Sequence, residues 1–459
     1  MDRRRIAVVG AGITGLTAAW SLQNSGIEVI LFERRDHAGG SIKTKQREDW
    51  LLEYGPNTLQ IKSRKVERFL ENLDLDSQIV EANPAASNRY IVKNGELLPV
   101  PNGPIDLLRT ELFSLRGRLR LMIEPFIRKG RDPDETLDRF VSRRLGAEML
   151  NYAIDPFVAG VYAGVPEELV VRHAFPRLYH LEQRYGSLIA GSLRKRWDEK
   201  RAENVKTRLI SFPDGLSTLP DKLAKQLTNI NLKADVNRVE QGSSGWEVST
   251  SEETFRGFDA VLMNIPLYRV NEQLLDGGGE LLDAVSLAGY PPLSVVHTGY
   301  RKEQVKHPLD GFGFLVPSIE EHQILGSLFN STLFPGRAPE DHHLLTTFVG
   351  GTRQPDLAGL ESESIQEMVV GEHRRLLGLS GEPVLFEHIY WPRSIPQYTR
   401  NYPKVVKAIL NVESLNPGLY FGGNFRGGIA LPDCIENGLV WAEMLKSESG
   451  ETVDFLNQI

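Results

Sequence analysis

The chain has 459 residues, 41% of them apolar and 25% charged, with a formal net charge of −7. That length is past the size at which one hydrophobic core stops growing, so two or three domains are expected. The acidic total argues against a nucleic-acid partner, which needs a positive face to displace counterions, and the sole cysteine, Cys434, excludes an intrachain disulfide and a thiolate zinc site.

Met1-Asp2-Arg3-Arg4-Arg5 and the apolar run after it imitate a secretory signal, but Gly10, Gly12 and Gly15 interrupt the run. The stretch 6–9 is therefore read as a buried strand. A helix is predicted over 14–24, with Ala18, Ala19 and Leu22 at helical spacing and Gly26 ending it. A second strand over 27–32 completes a βαβ-type opening, which implies a parallel sheet. From 104 to 208 the pattern turns helical, with Leu107, Leu108, Leu112, Leu115, Leu119 and Met122 at three- and four-residue steps. Strands are predicted over 232–239 and 246–250, joined by the turn Gly242-Ser243-Ser244-Gly245, then over 294–300 and 344–349. The end reads as a strand over 419–421, a glycine-rich turn, and a helix over 432–446 with Pro432 at its first position. No run of uncharged apolar residues is long enough to cross a bilayer as a helix. The histidines are too scattered for a metal site, so none is expected.

The fold class expected is α/β: a Rossmann-like nucleotide domain assembled from 1–85, 205–270 and 395–459. A helical insertion occupies 95–204, and a mixed-sheet substrate domain takes 86–94 and 271–394.

Gly10-Ala11-Gly12-Ile13-Thr14-Gly15 is a G-x-G-x-x-G turn between a strand and a helix. Its glycines allow a tight turn, close approach of a pyrophosphate, and tight packing of helix on strand. Glu33, at the end of the second strand, is placed to accept hydrogen bonds from a ribose diol. Arg34 follows it, and Gly39-Gly40-Ser41 extends the site beyond what a simple dinucleotide fold requires. Gly55-Pro56-Asn57-Thr58 supplies a rigid turn suited to a flat ring. At the far end Gly422-Gly423-Asn424 and Gly427-Gly428-Ile429-Ala430-Leu431 lead into the last helix, whose positive end suits the anionic edge of a reduced flavin. Val236 completes the expected cofactor contacts, and the cofactor expected is FAD.

These residues resemble the protoporphyrinogen oxidases of the monoamine-oxidase-like flavoprotein superfamily, over nearly the whole chain. The resemblance rests further on Asn88-Arg89-Tyr90, Ala159-Gly160-Val161-Tyr162-Ala163-Gly164, Gly311-Phe312-Gly313-Phe314-Leu315-Val316-Pro317, Phe348-Val349-Gly350-Gly351, Ile395-Pro396-Gln397-Tyr398 and Pro432-Asp433-Cys434-Ile435. It implies FAD-dependent, six-electron oxidation of protoporphyrinogen IX in haem synthesis, with oxygen as acceptor. By resemblance Arg89 meets a propionate, Phe312, Leu315 and Phe348 line the slot for the tetrapyrrole disc, and Gly160 permits close approach. Without the family, Arg89 reads as a surface arginine and the three apolar residues as core. No side chain is nominated as nucleophile or general base, since the cofactor carries the chemistry.

Cys434, inside the last helix, is read as a packing residue, so the flavin is expected to be bound non-covalently. Along 107–131, Arg109, Arg116, Arg118, Arg120, Arg128, Lys129 and Arg131 alternate with leucines, Phe113, Phe126 and Ile127. Composition leaves a solvated basic face and an anionic bilayer surface evenly matched. The resemblance tips the reading to a peripheral protein on the cytoplasmic membrane, and a homodimer is among the partners expected. Three rivals stand: oxidation of coproporphyrinogen III, an amine or polyamine oxidase (which typically carries an arginine where this chain has Ser41), and a non-catalytic flavin-binding protein.

Overall fold

The structure is a computed structural model and describes residues 4–101, 103–199, 206–275 and 279–446; positions 447–459 of the last expected segment lie outside them. One parallel sheet gathers strands from three distant parts of the chain. Its order is Ile230–Leu232, Glu28–Glu33, Arg5–Val9, Ala260–Met263 and Leu419–Phe421. The central strands are continuous apolar runs, as a sheet covered on both faces requires. The helices Ile13–Asn24 and Leu431–Lys446 cover one face, with Leu16, Ala18, Ala19, Trp441 and Leu445 in a single core. A three-stranded antiparallel sheet and the helix Tyr402–Leu415 cover the other, through Val239, Trp246, Phe258 and Ile409.

Two elements differ from expectation for local reasons. The strand predicted over 232–239 divides into Ile230–Leu232 and Val236–Gly242. Between them Lys233 takes a φ of +59°, while the N–H groups of Lys233 and Ala234 donate to Arg35 O and Glu33 O. Those two bonds turn the chain out of the parallel sheet. The last helix begins at Leu431, so Pro432 is its second residue, where its missing N–H is still without cost. The hairpin is as read, Gly242 facing Gly245 across two serines.

The second large sheet has seven strands, in the order Leu385–Trp391, Leu293–Arg301, His342–Gly350, Gly326–Phe329, Gly311–Leu315, Asn88–Lys93 and Glu96–Pro99. All neighbours are antiparallel except Gly311–Leu315 and Asn88–Lys93. The stretch expected to open the helical insertion at 95 therefore begins as an edge strand, and the first helix there is Pro104–Arg109. The helix Ser362–Leu377 packs Ile365, Val369 and Val370 on one face of the sheet, over Val296, Leu345 and Val349. On the opposite face Trp50 fills the space a side chain on Gly299 would need, and Tyr54 stacks on His297 at 6.2 Å between ring centroids. Between the two sheets in sequence, the insertion folds around Phe140, Val141, Val158 and Leu169. It is pinned by the fully buried Arg144, whose guanidinium donates to Glu124 at 3.0 Å and Glu182 at 2.6 Å.

His297 and His373 are both fully buried. His297 pairs with Thr346 through Nδ1; His373 sits between Tyr300 and Thr347. Burial pushes them down from 6.5 to about 4 and about 3 respectively. Below pH 6.5 the unfolded chain binds protons that the native state refuses. This stabilisation is therefore complete above pH 6.5 and is lost as pH falls towards 4, at up to about 1.4 kcal/mol per pH unit for each group. Thermal unfolding at a series of pH values is expected to show a falling midpoint across that window, with a shallower fall in His297→Gln. A midpoint equal at pH 5 and pH 7 would contradict it.

Candidate active site

The first strand ends at Gly10, whose φ of +104° turns the chain into the helix Ile13–Asn24. A Cβ at Gly15 would fall on Gly10 O. The helix opens with no capping side chain and no acidic residue in its first turn, so its N–H groups and positive end remain available to an anion. The Glu33 carboxylate is held beside this turn by Ala11 N and Arg35 N, both at 2.9 Å. Gly39 N donates to Ala11 O at 2.8 Å, which lays Gly40 against Gly12: a Cβ on Gly40 would stand 3.1 Å from Gly12 Cα. The Ala234 N–H donates to Glu33 O, and Val236, which opens the next strand, packs on the core around Phe32 and Val239. Arg34 is exposed at the rim.

Gly55 lies so close to Ser41 that a Cβ would overlap Ser41 O. Asn57, two residues on, accepts a 2.8 Å hydrogen bond from Asn330, which opens the short helix Asn330–Leu333 just after a strand of the seven-stranded sheet, and Thr58 follows Asn57. The C-terminal turn meets this cradle from the other side. Asn424 O accepts the Tyr398 hydroxyl at 3.0 Å, and Ile429 packs on the core of the insertion. Ala430 precedes and Leu431 starts the last helix, which meets the first where a Cβ on Gly438 would stand 2.6 Å from Thr14 O. The N-terminal glycine turn, Glu33 and Gly40 thus gather at the start of the first helix, and the last helix packs against that helix at Thr14; Arg34 is exposed beside them. A dinucleotide fits what lies there: free helix N–H groups, a fixed carboxylate, and a buried Asn264 Oδ1 with no partner. Cys434 does not face it as a thiolate; its thiol is buried near Gly428 O and pushed up to about 12.

Beneath the C-terminal turn lies a support that sequence reading missed. Glu413 accepts from Phe421 N at 2.8 Å and from Arg426 Nη1 at 2.9 Å. Arg426 also donates to Phe421 O, and its own carbonyl accepts from Asn437. Burial raises the Glu413 carboxyl and the Arg426 charge opposes that rise. Only the spacing of one acid on a helix and one arginine in a glycine-rich turn could have signalled the pair.

The expected slot residues fall on the open face of the seven-stranded sheet. Leu315, Gly326, Phe348 and Val295 are successive partners across four strands. With no side chain at Gly326, Leu315 leans over it and reaches Gly160 of the helix Asp155–Tyr162; a Cβ at Gly160 would stand 2.5 Å from Leu315 Cδ2. Phe348 packs with Ala159, Ala163, Leu293, Leu325 and Ile395. Phe312 sits apart from these, with Ala86, Leu328 and Phe334, and the Arg89 guanidinium lies 5.5 Å from its ring centroid. Arg89 is exposed and has no carboxylate partner among the described residues. Thr346, two residues from Phe348, bonds the His297 that stacks on Tyr54, so the sheet face that carries Phe348 also carries the ring next to the Gly55 turn.

The sequence profile of the flavin containing amine oxidoreductases matches residues 13–444. Protoporphyrinogen oxidase 2 of Arabidopsis thaliana is 35% identical, over 97% of this chain and 94% of its own length. Coproporphyrinogen III oxidase of Bacillus subtilis is 26% identical, over 95% and 96%. A solved structure from Exiguobacterium sp. 255-15 has the same fold, with a TM-score of 0.81 at 24% identity over 97% of this chain and 99% of that one.

Replacing Glu413 by Gln leaves the buried Arg426 charge uncompensated, which costs roughly 3–5 kcal/mol. Urea unfolding of Glu413→Gln is expected to show that loss of stability. An unchanged midpoint would mean that the pair does not hold the turn.

Proposed function

Because the chain belongs to the flavin containing amine oxidoreductases, we propose that it oxidises protoporphyrinogen IX to protoporphyrin IX, with FAD as cofactor and oxygen as final acceptor. The observation that carries this is the near full-length likeness to a protoporphyrinogen oxidase; the apolar residues Leu315 and Phe348 and the exposed Arg89 on the Phe312 ring are compatible with it. Bound FAD supplies a two-electron acceptor, used three times for a six-electron change. The glycine turn and the first helix offer N–H groups to the pyrophosphate, Glu33 accepts from the ribose, and the last helix directs its positive end at the ring. We assign the cofactor role to 1–85, 205–270 and 395–459, and the substrate role to 86–94 and 271–394.

Leu315, Phe348 and Gly160 hold the disc and keep water from its faces. Arg89 takes a propionate with a forked pair of hydrogen bonds. None of the apolar residues proposed for the slot titrates, so protons released by the substrate pass to solvent or to a neighbouring group outside that set.

A surface patch supports peripheral attachment to an anionic bilayer. Leu115, Leu119, Met122, Ile123 and Phe126 are 50–85% exposed on the insertion, beside exposed Arg116, Arg128, Lys129 and Arg131. A patch of this kind marks an interaction surface. Arg118 and Arg120 do not join the basic face, since both turn back to backbone carbonyls. No described helix is long and apolar enough to cross a membrane.

Porphyrin fluorescence during aerobic turnover tests the substrate. Protoporphyrinogen is expected to be preferred over coproporphyrinogen. Losing a charged hydrogen bond worth about 1.5–3 kcal/mol, Arg89→Ala should raise KM about ten- to hundredfold with kcat less affected. Preference for coproporphyrinogen would transfer the protein to that substrate, and inactivity on both would turn attention to amines. Co-sedimentation with vesicles of phosphatidylserine and phosphatidylcholine tests the patch. Binding is expected in low salt and is lost in Leu119→Asp/Phe126→Asp; equal binding by the variant would refute it.

A further inference from the structure

We infer that Asn264 is a cofactor-recognition residue, its side-chain amide bridging the phosphate and polyol portions of the bound dinucleotide. The inference rests on the FAD reading above and names a residue that no glycine motif contains.

Asn264 follows the strand Ala260–Met263 directly. Its N–H donates to Val9 O at 2.8 Å, and its carbonyl occupies the space a side chain on Gly10 would need. The backbone is therefore locked against the end of the first strand. This sets the side chain between the two glycine turns that close the cleft. A Cβ on Gly15 would stand 2.7 Å from Asn264 Nδ2, and one on Gly12 3.7 Å from it. On the opposite side, a Cβ on Gly423 would stand 3.7 Å from Asn264 Oδ1. The residue is only 8% exposed, and Oδ1 is buried with no hydrogen-bond partner.

A buried acceptor left unpaired opposes folding unless something supplies its donor. The surroundings are mostly glycine backbone at closest approach, so no protein side chain is poised to do so. The missing partner is then a ligand group lying between the turns. A carboxamide offers an NH2 donor group on one side and a carbonyl acceptor on the other. The ligand it suits presents acceptors towards the N-terminal turn and a hydroxyl towards the C-terminal turn. A pyrophosphate followed by a polyol has that order. Aspartate, the isostere, would place a negative charge next to phosphate and lose the donor; alanine would lose both bonds. A structural asparagine predicts the reverse pattern, with a folded state weakened before any ligand is considered.

The test compares holoenzyme and FAD-stripped protein for wild type, Asn264→Ala and Asn264→Asp. Flavin fluorescence on dilution reports release of FAD, and thermal unfolding with and without added FAD reports stability. FAD is expected to bind about tenfold more weakly in Asn264→Ala and weaker still in Asn264→Asp. The FAD-free Asn264→Ala protein should unfold no earlier than FAD-free wild type, because an unpaired acceptor has been removed. FAD affinity equal to wild type in both variants would overturn the inference. So would a FAD-free Asn264→Ala that melts well below wild type, since the residue would then be structural. Failure of the wild-type protein to take up FAD at all would overturn the flavin reading and this inference together.

Discussion

The meeting of the first and last helices is the contact on which the rest of the site depends. At Gly438 the terminal helix approaches Thr14 O more closely than any side chain would allow, and that approach sets two helix N-termini on one cleft. Each end of the chain holds half of the cradle, and neither half is complete alone. The glycine turn and Glu33 come from the first strands, while Asn424, Ile429, Ala430 and Leu431 come from the last turn. The buried Glu413–Arg426 pair keeps that last turn in register with the sheet edge at Phe421. A buried ion pair is weak evidence of net stability; here its geometry serves position.

The same use of missing side chains shapes the second sheet. Gly299 admits Trp50 on one part of the open face, and Gly326 lets Leu315 lean toward Gly160 on another. Between them His297 and Thr346 carry Tyr54. One sheet face thus seats the loop that precedes the Gly55 turn and, a few residues along the same strands, forms the slot floor. The Tyr54–Gly55 loop and the residues proposed for the substrate are tied by covalent strand geometry, with the alternation of a β-strand deciding which side chains share that face.

Much of the nucleotide domain was legible from residues alone. Short apolar runs beside glycines marked three of its five parallel strands, at 6–9, 27–32 and 419–421, but not Ala260–Met263, and Gly26 and the Ser243-Ser244 turn marked where elements end. The break after Leu232 was not legible, because it depends on hydrogen bonds to Glu33 and Arg35, distant in sequence. The edge strand Glu96–Pro99 was read into the helical insertion because Pro99 and its short length resemble a linker. Leu112 was counted as part of a helical stripe, yet it is buried beside Ile91 in a non-helical stretch. In the site, glycine motifs carried their own signal. Asn264, Asn330 and Glu413 carried none, since each acts through a partner that only the fold brings near. Arg89 and the slot residues became readable through family likeness alone; as residues they are a surface arginine and ordinary core.

The strand order of the parallel sheet also bears on how the molecule is made. Arg5–Val9 sits between Glu28–Glu33 and Ala260–Met263, so a growing chain has its first βαβ unit ready long before the strand that covers its open edge exists. An uncovered strand edge is a template for wrong pairing, and contacts this distant in sequence form slowly. The interval is bridged by segments that include one with a core of its own, the insertion around Phe140. A site whose last wall is the helix Leu431–Lys446 can be closed only after that helix has been made. Cofactor capture in this protein is then a step that follows the pairing of segments more than 400 residues apart.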